Sequence, residues 1–208
     1  MKTIFFTFLC FVSFGLYSQI NSLKIGDLAP LQDRKMAINQ KEAMSLKDAM
    51  GENGLIVIFS SNSCPFVVGF EDKSFAGWEN QYNTIFDKAT ATKTNVILVN
   101  SNEAKRSNGE SISDMVERKN LKGFKMPYLL DENSELANAL GGKTTPHVFF
   151  FDKNYKLIYT GSIDNSFEEK RKKEINYLIN AIEAHSTGKK IKPNSTSPKG
   201  CSIKRNKN

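Results

Sequence analysis

Residues 55–65 read LIVIFSSNSCP: five apolar residues, the polar run Ser60 to Ser63, then Cys64 and Pro65. An unbroken apolar run of this length fits a strand buried on both faces. Proline directly after the cysteine suits the first turn of a helix, where a missing N–H costs nothing. The stretch therefore predicts a strand, a tight polar turn and a helix start, with a single sulfur at the junction. A thiol attacks only as its thiolate, and a helix N-terminus offers unpaired N–H groups and the positive end of the peptide dipoles. Cys64 is the candidate nucleophile. Ser61, three residues ahead, is placed to offer its hydroxyl to that sulfur or to a substrate oxygen. The competing reading makes Cys64 a small buried hydrophobe, a common role for free cysteine.

The same alternation extends along the chain. VILVN at 96–100 and HVFFF at 147–151 are further apolar runs, and KLIYTGSI at 156–163 joins the latter through DKNYK as a hairpin, so the sheet is mixed. After Cys64, residues Phe66, Val67, Phe70, Phe75, Trp78, Tyr82, Ile85 and Phe86 fall mostly on one helical stripe and predict one long helix. SISDMVERKN at 111–120 and SELANAL at 134–140 predict shorter helices opened by serine, and 166–188 predicts a final helix from Ser166 to Gly188. This order of elements implies an α/β fold, a three-layer α/β/α sandwich around a mixed central sheet.

The ends carry other information. Residues 1–19, MKTIFFTFLCFVSFGLYSQ, combine an early lysine, an apolar run and small residues near the end, which reads as a secretory signal peptide that takes Cys10 with it. Thr7, Ser13 and Gly15 interrupt that run, against a retained transmembrane anchor. The expected protein is exported, periplasmic or secreted, and Cys64 and Cys201 reach a compartment where disulfides persist. Residues 20–187 then form one domain and 188–208 a flexible basic tail. Of 29 basic residues, seven lie in that tail without an acid, leaving 22 against 22 acidic in the rest of the chain. The charge of +7 is a tail property, and no basic stripe with interleaved aromatics supports nucleic-acid binding.

In GGKTTPHVFFFD, at 141–152, Thr145–Pro146 stands directly before a buried strand, and both a cis and a trans bond fit there. His147 follows; its strand position favours a structural histidine over a general base. Glu71 falls near the helix face of Cys64, with a surface ion pair as its expected role. No His and Cys cluster at metal spacing and no glycine-rich phosphate loop occurs, so neither metal nor cofactor is expected.

IGDLAP (25–30), VIFSSNSCPFV (57–67), ILVNSNE (97–103), MPYLLDENSELANALGGKTTPHVFFFD (126–152), LIYTGSID (157–164) and GCSIK (200–204) together resemble the thioredoxin-fold superfamily, and within it exported proteins of the peroxiredoxin-like (AhpC/TSA) branch. The resemblance implies a central sheet flanked by helices, an active Cys64 at the start of the first long helix, and a cis-proline loop at Thr145–Pro146 lining the substrate groove. Where many relatives carry Cys-x-x-Cys, this chain has Ser61, so a dithiol within one turn is unavailable. Ser61-x-x-Cys64-Pro65 is similar instead to the Thr-x-x-Cys-Pro of peroxiredoxins, although their earlier proline is Val57 here.

Cys201 lies 137 positions beyond Cys64, where Lys199, Lys204 and Arg205 are expected to favour its thiolate. Three roles remain open: resolving a sulfenic acid on Cys64, forming a static disulfide with it, or standing as a free thiol. The expected function is a thiol-dependent oxidoreductase that reduces a peroxide or exchanges disulfides through Cys64, with Ser61, Pro65 and the Thr145–Pro146 loop in support and an external thiol as reductant. A non-catalytic thioredoxin-fold binding or assembly module is the alternative.

Overall fold

The computed structural model describes residues 22–206 except Glu169. The leader read at 1–19, Cys10 included, lies outside the described residues. In chain order the elements are β1 (Met36–Ala37), β2 (Ala43–Met44), α1 (Leu46–Ala49), β3 (Gly54–Ser60), α2 (Pro65–Val68), α3 (Tyr82–Ala91), β4 (Thr94–Asn100), α4 (Ile112–Lys122), β5 (Tyr128–Leu130), α5 (Glu135–Leu140), β6 (Thr144–Thr145), β7 (His147–Asp152), β8 (Leu157–Gly161), α6 (Tyr177–Ser186) and β9 (Cys201–Ser202).

Seven strands form one mixed sheet in the order β2-β1-β5-β4-β3-β7-β8. β3 lies inside it, parallel to β4 from Gly54↔Thr94 to Ser60↔Asn100 and antiparallel to β7 from Gly54↔Asp152 to Phe59↔His147. Strand side chains alternate between faces. Ile56, Ile58, Val96, Leu98, Val148 and Phe150 therefore meet α3, α4 and α6, while Leu55, Val57, Phe59, Ile97, Phe149 and Phe151 meet α1 and α5. Two cores on opposite faces make the three layers expected, and they explain why β3 has no polar side until Ser60. α4 opens as its sequence predicts: the Ser111 hydroxyl accepts from Asp114 N, and the Asp114 carboxylate accepts from Ser111 N.

The long helix expected after Cys64 is not one helix. α2 is a single turn, and regular α-helix resumes only at α3 after a 3₁₀ turn at Trp78–Gln81. Gly69 at φ 105 and Gly77 at φ 86 cause the break. A Cβ at Gly77 would lie 2.3 Å from the Val67 carbonyl, so only glycine fits this crossing. The loop folds back on itself through Phe70 N to Phe75 O at 2.8 Å. Its aromatics, which had read as a helical stripe, gather instead around Phe167, whose ring centre lies 4.9 Å from that of Phe66 and 4.5 Å from that of Phe75.

The last helix also starts later than expected. Asn165 holds the chain in a loop, accepting from Ile175 N at 2.8 Å and donating to the Lys173 carbonyl at 2.8 Å, and four consecutive cations, Lys170 to Lys173, repel one another there.

The tail from 188 does not trail from the domain. Thr160 N donates to Asn194 O at 3.1 Å and Thr196 N to Thr160 O at 3.0 Å, so the chain runs along the free edge of β8. It then pairs β9 with β6, and buries Ile203 against Phe59 and its neighbours. Backbone bonding, with Ile203 buried and Ile191 packed against the opposite core, supplies what the basic composition concealed.

Candidate active site

The N-cap position of α2 is Cys64, 4% exposed, at the C-terminal end of β3. Its Sγ–H donates to the Thr145 carbonyl at 3.0 Å. The Thr145–Pro146 bond is cis. Across β6, Thr145 pairs with Cys201, so the two halves of the sequence separated by 137 positions meet at one carbonyl. Both cysteines are free thiols, Cys64 buried and Cys201 half-buried. Together they line a cavity of about 340 Å³ with Ser61, Pro65, Thr145 and Lys204 among its walls. All six residues singled out from the sequence, namely Ser61, Cys64, Pro65, Thr145, Pro146 and Cys201, are thus within one neighbourhood.

Two of the expected roles change. The Ser61 hydroxyl does not point its proton at the sulfur. It donates to the Glu110 carboxylate at 2.5 Å and accepts from Ser63 N and Cys64 N, both at 3.1 Å. Ser61 therefore fixes the turn that carries Cys64. Nor does Cys201 have a lowered pKa: it is pushed up to about 11, first by burial, then by its hydrogen bond to the Cys64 side chain and the charge there. The Phe66 amide and Lys204 pull the other way, too weakly to win. Of the cations read from the sequence, Lys199 is exposed and Arg205 is held by Asn138 Oδ1 and Gly142 O, which leaves Lys204 alone acting on the sulfur.

The dipole foreseen at Cys64 also shrinks. α2 is one turn long, and its Val67 and Val68 amides bond Cys64 O at 2.8 and 2.9 Å. What surrounds Cys64 is a second thiol rather than the end of a long helix.

Glu110 was not found from the sequence. It is fully buried between β4 and α4, and five donors converge on its carboxylate: the Ser61 and Ser63 hydroxyls, the Asn62 and Ser63 amides, and the Asn100 side-chain amide. Nothing in its spacing from the cysteine, 46 positions, signals this. Arg106 braces the same region, donating to Asn100 O and Oδ1 at 2.8 Å and to the Glu110 and Asp131 carbonyls at 3.0 Å. Its fork is committed to protein oxygens.

His147 is structural. Its Nδ1 accepts from Lys143 N at 3.1 Å, so the other nitrogen carries the proton and donates to Thr160 Oγ1 at 3.2 Å. Burial, with Lys143 as a lesser cause, lowers its pKa to about 3. Glu71 is exposed in the loop beyond α2, off the helix face expected for it. Among the described residues no helix is long and apolar enough to cross a membrane.

Solved structures resemble the fold over most of its length. A hypothetical protein from Sinorhizobium meliloti 1021 is 26% identical with a TM-score of 0.76, covering 90% of this chain and 98% of its own. An uncharacterized conserved protein from Geobacillus kaustophilus is 23% identical with a TM-score of 0.75, covering 90% and 95%. A peroxidoxin from Mycobacterium tuberculosis is 10% identical with a TM-score of 0.54, covering 80% and 97%. No curated protein matches the chain. The family model described as Redoxin matches residues 24–179, a span that includes Cys64 and the Thr145–Pro146 loop and ends before Cys201. With three quarters of its length under that match, the chain belongs to the Redoxin family.

Proposed function

We propose that the protein is a thiol-dependent oxidoreductase whose working unit is the Cys64–Cys201 pair, acting after export on a disulfide or a peroxide. The observation that carries this reading is the meeting of the two free thiols over Thr145 in one open cavity. With a disulfide, Cys64 sulfur attacks one sulfur of R–S–S–R, the S–S bond breaks, and RS⁻ leaves with the Cys64 proton. Cys201 then attacks the Cys64 sulfur of the mixed disulfide, releasing the second thiol and closing Cys64–Cys201. With a peroxide ROOH, the Cys64 sulfur takes the outer oxygen as the O–O bond breaks and ROH leaves with the Cys64 proton, giving a sulfenic acid; Cys201 then attacks that sulfur and its hydroxyl leaves as water with the Cys201 proton. Either way two electrons leave the protein, and two equivalents of an external thiol restore it.

The division of labour follows from the environments. Cys64 is fixed by the Ser61–Glu110 turn, while burial first and the neighbouring Cys64 second push the Cys201 pKa up, so Cys201 rests as a thiol. The test is turnover of bis(2-hydroxyethyl) disulfide and of hydrogen peroxide with dithiothreitol as reductant. Cys64→Ser is expected to abolish protein-dependent turnover of the favoured oxidant. Cys201→Ser is expected to complete the first chemical step, trapping Cys64 as mixed disulfide or sulfenic acid, and to lose most multiple turnover. Equal activity in wild type and Cys64→Ser overturns the reading. A wild type inert to both oxidants supports a binding module instead.

A further inference from the structure

We propose that the cavity shared by Cys64 and Cys201 selects a small disulfide carrying carboxylate groups, recognised by Lys105, Lys204 and Asn102. This rests on the redox reading above and adds the size and charge of the substrate. Size follows from what already occupies the site. The strand edge at Thr144–Thr145, where an extended protein segment would add by backbone pairing, is taken by the chain's own Cys201–Ser202. Ile203 N on Lys143 O at 3.1 Å, Lys204 N on Asn102 Oδ1 at 3.0 Å and Arg205 on Gly142 O at 2.6 Å keep it there. What remains open is a space of about 340 Å³, room for a small molecule.

Charge follows from the walls. Lys105 and Lys204 line the cavity, and no carboxylate does. Among the described residues neither lysine has a carboxylate partner; Lys204 Nζ reaches only Ser202 Oγ, at 3.1 Å. The nearby acids are spent elsewhere. Glu103 pairs with Arg106 at 3.2 Å, and Glu110 lies behind the Ser61–Ser63 turn with five donors on it. The third feature is Asn102, a wall residue 3% exposed. Its oxygen accepts from Lys204 N, but its Nδ2 is buried without an acceptor among the described residues. A buried donor without a partner is unusual and calls for a reason. A ligand carboxylate between the two lysines supplies the acceptor and the countercharge together. The reaction is then the exchange written above, with R bearing the carboxylate: Cys64 bonds one substrate sulfur, the S–S bond breaks, and Cys201 releases the second thiol, so one disulfide becomes two thiols.

The test compares pre-reduced wild type with the Lys105→Gln/Lys204→Gln double variant and with Asn102→Asp, which keeps the acceptor for Lys204 N but replaces the free donor with an anionic oxygen. Each is mixed with 3,3′-dithiodipropionate, a dianion, and with the neutral bis(2-hydroxyethyl) disulfide, and the second-order rate of Cys64 oxidation is followed by mass spectrometry. Wild type at low salt is expected to favour the dianion by about tenfold or more, with the ratio falling toward one in both variants and at high salt. Equal wild-type rates, or a preference that survives in both variants, overturn the selectivity and leave the redox pair standing. Failure of both disulfides to oxidise Cys64 overturns this inference, and failure of hydrogen peroxide as well overturns the redox reading with it.

Discussion

The carboxylate of Glu110 is the residue on which the Cys64 turn is assembled, for it gathers a serine hydroxyl on each side of Asn62 and two amides of the same loop. Glu110→Gln replaces one accepting oxygen with a donor, leaving like groups face to face. The expected loss is roughly 3 kcal/mol of stability, read by urea denaturation, with slower closure of the Cys64–Cys201 bond; an unchanged midpoint and rate would remove Glu110 from this role. His147 makes a second residue-level prediction, in pH. Its folded pKa is about 3 against a usual 6.5, so the unfolded chain binds a proton that the folded chain refuses. Its contribution to stability is complete above 6.5 and lost as pH falls from 6.5 towards 3. Across that window stability is expected to fall by up to about 1.4 kcal/mol per pH unit, with a shallower slope in His147→Gln. A wild-type slope that matches the variant's would contradict the assignment.

Among the elements, β9 decides whether there are two cysteines in the site or one. It reaches β6 because Gly200, at φ 155, lies where a Cβ would come within 2.2 Å of the Thr145 carbonyl. Gly200→Ala is expected to unseat Cys201: hydrogen exchange at 201–205 rises and Cys201 alkylates faster, while β3 and β4 stay protected. Retained protection at 201–205 would show that the pairing does not need this glycine. The same physics marks where elements were legible in sequence. β3, β4 and β7 announce themselves as apolar runs because two cores cover them, and α4 by its serine cap. The stretch 66–86 misled because aromatic spacing cannot distinguish a helical stripe from a ring cluster closed by Gly69 and Gly77. β9, two residues in a basic, proline-containing segment, has no periodicity to detect, and its partner strand is 56 positions away.

At the scale of the whole molecule, the sheet order brings the C-terminal end of β3, the loop before β7 and the far end of the chain to one place. Cys64, Pro65 and the Thr145–Pro146 loop were readable because each lies beside a strong strand signal. Glu110, Asn102 and Lys105 were not, since their importance arises from packing across β4 and the docked tail rather than from local spacing. The two thiols acting as one redox unit is the consequence on which the functional reading stands. Non-reducing peptide mapping of the reduced protein, before and after one equivalent of oxidant, measures it. A peptide joining Cys64 to Cys201 should appear after oxidation and vanish with dithiothreitol; Cys64 oxidised to sulfinic acid, or left unmodified, with Cys201 still free would contradict it.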